Sequence, residues 1–493
     1  MSVLIDDIAN NIRESLTTFA ENEFEHDPDA LSSQMVEALT KGLHQALLES
    51  GRLGLENLIQ SFENDVPQTE VNDRVFERSD TCPKTFLTLL GEITLRRGLY
   101  YEKGKERSAK SSATYVPLDH AWDMQGRYVT PEVAEALLYS CAEMVPESVS
   151  KLFAKITGIK PSKTLTYEQI QKDGKRLKEF EKAHRETRWK SVTVPTDAEV
   201  FVASFDGGTL PMRKSEDEKV ECSRNRKKKD DAAKDMPEDQ SKGSSYKNAM
   251  IGSFSFYQSK EVCDNTGDVR LCPDRQKSHY IAKMPEKNFT EFKQEATFVV
   301  ANLEKFMPEE GIVRILLMDG ARSLWSWARD QECFESYDWL LDFFHATEHL
   351  SKVAGLLFGK KSAKAKQWYR KWRKKLKYEE NAVDGLIRSI ARCIKQVSGK
   401  RQQDAEKERN YFINNREMMN YAIYVSEGLP IGSGPVEAAC KTIVKARMCQ
   451  SGMRWKTESG GNVLNLRVLT KSNEWDQIWA LYREQSWALA EAA

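Results

Sequence analysis

The sequence predicts a mixed α/β protein, with mostly helical N-terminal domains ahead of an α/β core that a helical insertion interrupts. Three observations lead there. Two apolar runs, Val200 to Phe205 and Ile312 to Met318, have the composition of strands buried on both faces. Each is followed by Asp-Gly, at Asp206-Gly207 and Asp319-Gly320. Residues 322–427 then read as helical throughout, rich in Trp and basic side chains, until a Gly/Pro break at 428–435.

The chain has 493 residues, which suggests about three domains with linkers. Hydrophobic residues make up 40%, enough for packed interiors. Lys plus Arg equals Asp plus Glu at 74 each, so any nucleic-acid contact must come from a local basic face rather than from net charge. No run of about twenty apolar residues exists to span a membrane. The start, MSVLIDDIANNIRES, carries acids and lacks a basic segment followed by an apolar one, so it does not read as a secretory signal. Nine scattered cysteines suit reduced thiols, and the expected compartment is the cytoplasm.

Taken in order, residues 1 to about 75 read as acidic amphipathic helices, with Leu31, Met35, Leu39 and Leu43 recurring every four residues, and a helical N-terminal region over 1–80. Region 81–128 carries a short strand pair, with TFLTLLGEITLRR at 85–97 and a basic, small-residue loop over 102–114. Region 129–195 begins with Thr130-Pro131-Glu132, a helix start with Pro at N1 and an acid in the first turn. A second start at Val145-Pro146-Glu147 and a third near Ser162 give three short helices with a Gly-containing turn before the last. That pattern fits a helix-turn-helix whose third helix, with Lys163, Gln169, Gln171, Lys172 and Lys175, would face DNA. It fits an ordinary three-helix bundle as well.

The first part of the core spans 196–340. Within it, 214–247 is charged and poor in apolar residues and reads as a flexible insertion. Strand character returns at 249–257 and at 279–282, and an amphipathic helix is expected over about 286–306. The helical insertion occupies 341–427, and 428–493 completes the core with one helix after Pro435 and Trp-rich helical segments.

Either Asp-Gly alone is a common turn signal. Together, at the ends of two buried strands, Asp206 and Asp319 would set oxygen ligands side by side for a hard divalent cation. Glu437, just inside the helix after Pro435, would be the third acid; it also suits a first-turn acid that satisfies the helix dipole. Lys441 and Lys445 follow at four-residue intervals on the same helical face, which suits a metal flanked by phosphates or an exposed ion-pair ladder.

The blocks SFDGGTLPMR, LLMDGARSLWSW, LDFFHATEHL and LPIGSGPVEAACKTIVKARMCQSGMRW resemble, in order and spacing, the ISKra-type insertion-sequence transposases of bacteria, over about residues 82 to 480. The GSGPVEAACK block is the most specific. The resemblance implies a DDE transposase with a ribonuclease-H-like core, in which Asp206, Asp319 and Glu437 are catalytic and hold two Mg²⁺ or Mn²⁺ ions. The spacings, 319 − 206 = 113 and 437 − 319 = 118, leave room for an insertion before the Glu helix. The resemblance also implies cleavage of double-stranded DNA at transposon ends, transfer of the 3′-OH to target DNA, and a location near the nucleoid. Joining two ends leads us to expect a homodimer or larger assembly. A D-x-x-H motif is matched by Asp342 and His345, taken as support for the metal ligands; His349 lies one turn on. In one respect the chain departs from the family. Where relatives carry a zinc ribbon, only Cys82 remains near Tyr100-Tyr101, and Cys263, Cys272 and His279 are too loosely spaced to replace it, so no zinc is expected.

For DNA contact, Arg370, Lys371, Arg373 and Lys374 lie in an acid-free stretch around Trp368, Tyr369 and Trp372. Such a stretch neutralises phosphates and offers aromatic faces to an unpaired base. A solvated helix with buried tryptophans would look the same. Lys441, Lys445, Arg447 and Arg454 would clamp phosphates nearer the acids. A catalytically silent DNA-binding derivative, or a ribonuclease-H-like nuclease without strand transfer, are the competing functions.

Overall fold

Two separate sheets organise the chain. In the computed structural model the described residues are 32–105, 114–190, 192, 194–213, 245–263, 269–308 and 311–487, with isolated positions between 6 and 21. The expected flexible insertion lies outside them, apart from residues 245–247, which are strand, and so does most of the 102–114 loop. The chain divides into two units, Met1–Phe180 with Asp476–Ala493, and Glu181–Trp475.

The first unit opens with α1 (Ser33–Gln60), capped by the Ser32 hydroxyl, which accepts from Met35 N at 3.2 Å. Here the helical expectation for 1 to about 75 runs too far. The helix stops at Gln60, and a four-stranded antiparallel sheet follows: β1 (Gln68–Val71), β2 (Arg74–Thr88), β3 (Gly91–Glu102) and β4 (Thr114–Tyr115). The expected strand pair is therefore the centre of a larger meander. After a five-residue helical turn at Pro117–Ala121 come three longer helices: α2 (Pro131–Glu143), α3 (Pro146–Ile156) and α4 (Lys163–Ala183), the first two with Pro at the N-terminus. Arg127 lies buried against Asp173 at 2.6 Å and over the Trp487 ring at 3.6 Å. Those contacts commit one face of α4 to packing. Gln169 is buried on that helix, which corrects its expected place on a DNA-facing surface, whereas Lys163 and Lys172 are exposed.

The second unit is built on a five-stranded mixed sheet, β5 (Val200–Met212), β6 (Ser245–Cys263), β7 (Val269–Lys283), β8 (Val313–Met318) and β9 (Asp338–Leu341), in the order β7-β6-β5-β8-β9. The first three pair antiparallel; β8 and β9 join parallel to β5. Residues 338–341 were read as helical. The structure makes them a strand, because a four-residue run is too short to show any periodicity and is fixed by its partner β8.

Alternation along the strands sorts the core into two layers. On β6, Met250, Phe254 and Phe256 enter the larger core with α5 (Thr290–Glu304), while Ala249 and Ile251 enter a second one. That second core packs Val436, Ala439, Ile443 and Val444 of the Glu437 helix against Leu210 and Met212 of β5. Helices α6 (Phe343–Phe358), α7 (Ala363–Tyr378), α8 (Ala382–Ile394) and α9 (Gly399–Asn414) form the insertion, and their apolar residues Leu350, Leu376, Leu386 and Phe412 join the larger core.

Candidate active site

Asp206 does not end its strand. β5 runs on through Gly207 and Gly208 to Met212, still paired with β6, so the Asp-Gly here is not a turn. What ends is the pairing on its other side. β5 pairs with β8 only from Val200↔Val313 to Ala203↔Leu316, an offset of 313 − 200 = 113. Asp206 and Asp319 differ by the same 113 residues, so the register continued three positions beyond the last pair, Ala203 and Leu316, would put them level. β8 and β9 pair with an offset of 338 − 315 = 23. Since 342 − 319 = 23, Asp342 stands at the same level again. The acids thus form a row, Asp319 and Asp342 just past the carboxyl ends of β8 and β9 and Asp206 within β5 beyond its β8-paired part, at the edge where open α/β sheets form their ligand crevices.

A cavity of about 270 Å³ opens on this row. Asp206, Asp319, Asp342, His345, Ser433, Glu437, Cys440, Lys441 and Lys445 line it. The structure therefore brings the three expected acids to one place, together with the expected Asp342 and His345.

The acids differ in their surroundings. Asp206 accepts from Gly207 N at 2.6 Å and from the Cys440 thiol at 3.5 Å. Burial, reinforced by the charge of Asp319, raises its carboxyl above the usual range, partly offset by Gly207 N–H, Cys440 and Lys445. Burial also pushes the Cys440 thiol up, with the charge of Asp206 adding to it. Asp319 accepts from Ala321 N at 3.0 Å. Glu437 stands at the rim, its side chain about half exposed and 3.9 Å from Lys441. Asp342 is 1% exposed, and both its oxygens are engaged: one accepts from His345 N at 2.5 Å, capping α6, the other from Ser433 N at 2.5 Å.

That second bond fixes the turn leading to Glu437. Phe343 N also donates to Ile431 O at 2.9 Å, so residues 342–343 and 431–433 are laced together. Gly432 fits because a Cβ there would stand 2.6 Å from Cε2 of Phe344. The Glu437 helix begins as α10 (Gly434–Ala439) and widens into a π-helical turn over Cys440–Lys445. Buried Arg467 donates to the carbonyls of Ile443, at 2.6 Å, and Thr442 in that turn. The turn breaks the expected four-residue spacing, yet Lys441 and Lys445 still reach the cavity.

Tyr411 of α9 reaches from the insertion to Gly320, next to Asp319. Its ring stacks on His349 at 3.7 Å and 12°, and a Cβ on Gly320 would lie 2.9 Å from its Cε2. His349 Nδ1 bonds Glu408 at 2.5 Å, and His349 is not among the side chains that line the acid cavity.

Arg447 corrects an expectation: it is 2% exposed, turned inward over Trp455 at 5.7 Å, and cannot clamp a phosphate. Arg454, Arg370, Lys371 and Lys374 are exposed, and Arg373 is half-buried. Trp368 and Trp372 are half-buried and pack on the core, with Trp368 donating to the Ser389 hydroxyl at 3.3 Å. The expectation passed over Cys440 and Ser433. Neither residue type nor spacing signals them, because a thiol and a backbone N–H gain their roles only from the register of distant strands.

Could these acids hold a divalent cation? Their oxygens are the hard donors that Mg²⁺ and Mn²⁺ take, and they line one cavity in which Lys441 and Lys445 are the only lysine or arginine side chains among the described residues. The set fits. Among the described residues, no three His, Cys, Asp or Glu side chains stand in metal-holding geometry.

No protein-family model matches the chain, and no curated protein matches it. One solved structure that matches is the Drosophila P element transposase strand transfer complex. It is 11% identical, covering 72% of this chain and 81% of that chain, at a TM-score of 0.23. Likeness at that score carries no weight for fold or chemistry.

Proposed function

We propose that this chain is a DDE-type DNA transposase, a metal-dependent nuclease and strand transferase with a ribonuclease-H-like core. One observation carries the reading: the shared offset of 113 that sets Asp206 level with Asp319 beside Glu437 in one cavity. The sheet order, three antiparallel strands continued by two parallel ones, supports the core assignment.

Asp206, Asp319 and Glu437 would hold two Mg²⁺ or Mn²⁺ ions. Bound there, the ions would supply charge neutralisation at the scissile phosphate and a more acidic water. The protein's own groups do the rest. The Gly207 amide and Cys440 thiol fix the Asp206 carboxylate, and Asp342 fixes the turn that presents Glu437. Lys441 and Lys445 at the rim hold non-bridging phosphate oxygens. In cleavage, a water oxygen bonds to phosphorus as the P–O3′ bond breaks, and the leaving 3′ oxygen takes a proton. In strand transfer, that 3′-OH attacks a target phosphodiester in the same cavity, so one P–O bond forms and one breaks. The substrate is double-stranded DNA, and two active sites for two ends call for a homodimer or larger assembly. No helix among the described residues is long and apolar enough to cross a membrane.

The test is nicking of a supercoiled plasmid and joining of a pre-cleaved end, each with Mg²⁺, Mn²⁺ or EDTA, alongside calorimetric Mn²⁺ binding. The native chain should cut and join only with metal. Asp206→Asn, Asp319→Asn and Glu437→Gln should each lose at least about 100-fold in rate, the scale of losing one electrostatic stabiliser, and should weaken Mn²⁺ binding. Wild-type cleavage by these variants would refute the assignment. Cutting without joining would leave a nuclease, and neither activity a silent DNA-binding derivative.

A further inference from the structure

The insertion carries a second, larger concavity beside the acids. It encloses about 1370 Å³ between α7, the start of β7 and the segment from Val425 to Ile431. That exceeds the roughly 300–1,000 Å³ of small-molecule pockets, so its shape suits a chain rather than a compact ligand.

Its charge is one-sided. Arg270, Arg370, Arg373, Lys374 and Lys377 line it, and no acid does. On the same helix Lys375 pairs with Glu379 outside the groove, whereas Arg370 and Lys374 have no acidic partner among the described residues. Phosphates would complement that lining.

Four aromatic side chains line the groove, the buried Phe343 and, more open to it, Phe344, Tyr369 and Tyr378. Phe344 is 53% exposed and Tyr378 49%. In a duplex the bases already stack on each other, so exposed rings gain nothing from it. An unpaired strand has free base faces, and alternating cations and rings suit its phosphates and bases.

Chain connectivity joins this groove to the acids. Phe344 and Ile431 line the groove, while Asp342, His345 and Ser433 line the acid cavity. Gly432, between Ile431 and Ser433, packs against Phe344, so the two concavities are lined from neighbouring positions of the same two segments.

We infer that this groove binds an unpaired stretch of a DNA strand next to the site of cleavage. The inference rests on the nuclease reading for what the strand is, but its binding test does not. Fluorescence anisotropy of the full chain in EDTA would compare a labelled twelve-residue oligothymidylate with a twelve-base-pair duplex. The single strand should bind more tightly. Combined F344A and Y378A should weaken the strand by at least about tenfold, within the range expected for lost base stacking. It should leave duplex affinity and the salt slope unchanged. Combined R370A and K374A should instead flatten the single-strand salt slope by about 1.4, two contacts at roughly 0.7 each. Wild-type strand binding by the aromatic pair, with circular dichroism showing a folded chain, would overturn the inference. So would equal losses on strand and duplex. Strand binding without cleavage would sink the nuclease reading alone, and cleavage without strand binding the groove alone.

Discussion

Asp342 and Asp319 stand level on adjacent strands, yet they should respond to the same substitution in opposite ways. Asp342 is 1% exposed, and each oxygen accepts one backbone N–H, from His345 and from Ser433, both at 2.5 Å. Asparagine keeps the shape but offers only one acceptor, so an amide N–H₂ must face one of the two donors. The loss is one hydrogen bond to a charged group, about 1.5–3 kcal/mol, plus a buried N–H without a partner, about 1–3 kcal/mol. Relief from burying a charge offsets part of this. A net destabilisation of about 2–4 kcal/mol is expected for Asp342→Asn. Because Ser433 leads into the Glu437 helix, metal-dependent cleavage should fall more than tenfold even at temperatures where the variant is fully folded. Asp319→Asn should abolish cleavage while leaving stability equal or higher, since it removes a negative charge that raises the Asp206 carboxyl. Urea denaturation followed by tryptophan fluorescence, with nicking assayed on the same samples, separates the two acids. If Asp342→Asn unfolds within about 0.5 kcal/mol of the native protein, the ordinary surface range, and cuts within twofold, the proposed positioning role is wrong.

Two further outcomes follow from the same geometry. Gly432→Ala should cost about 1–3 kcal/mol by overpacking, since its Cβ would lie 2.6 Å from Cε2 of Phe344. Adding Phe344→Ala should recover most of that loss in a double-mutant cycle, and simple additivity would count against the contact. Glu181 lies in a buried cluster, accepting from Arg188 at 3.3 Å and Asn465 at 2.7 Å, while Arg188 also pairs with Glu474. Burial pushes the Glu181 carboxyl from 4.5 up to about 7, with the charge of Glu474 adding to it. The folded state therefore holds this proton more tightly than the unfolded state does. Its stabilising contribution is complete below about pH 4.5 and is lost as pH rises through about 7. Glu181→Gln should flatten that decline and be no less stable at pH 8; an unchanged slope in denaturation between pH 5 and 8 would exclude Glu181 as its source.

The sequence by itself determined the acid residues, the apolar strands that carry two of them, and the Gly/Pro break before the third, because these depend on local composition and short-range chemistry. Asp-Gly after a buried strand and Pro inside a helix start are legible within a few residues. It also located a basic, aromatic stretch around Trp368, Tyr369 and Trp372 within a helical region, but not that all three rings pack partly on the core while Tyr369 alone among them lines the groove. The row of acids was beyond its reach. That 113 residues of separation equals the strand offset is meaningful only once β5 and β8 are paired, and β9 is too short to announce itself. The buried Arg447 shows the same limit: a charged side chain reads as exposed until the tertiary structure turns it inward over Trp455. Propensity and patterning act over one or two helical turns, whereas register, burial and the meeting of Asp342 with Ser433, 91 residues apart, are decided by which surfaces pack together.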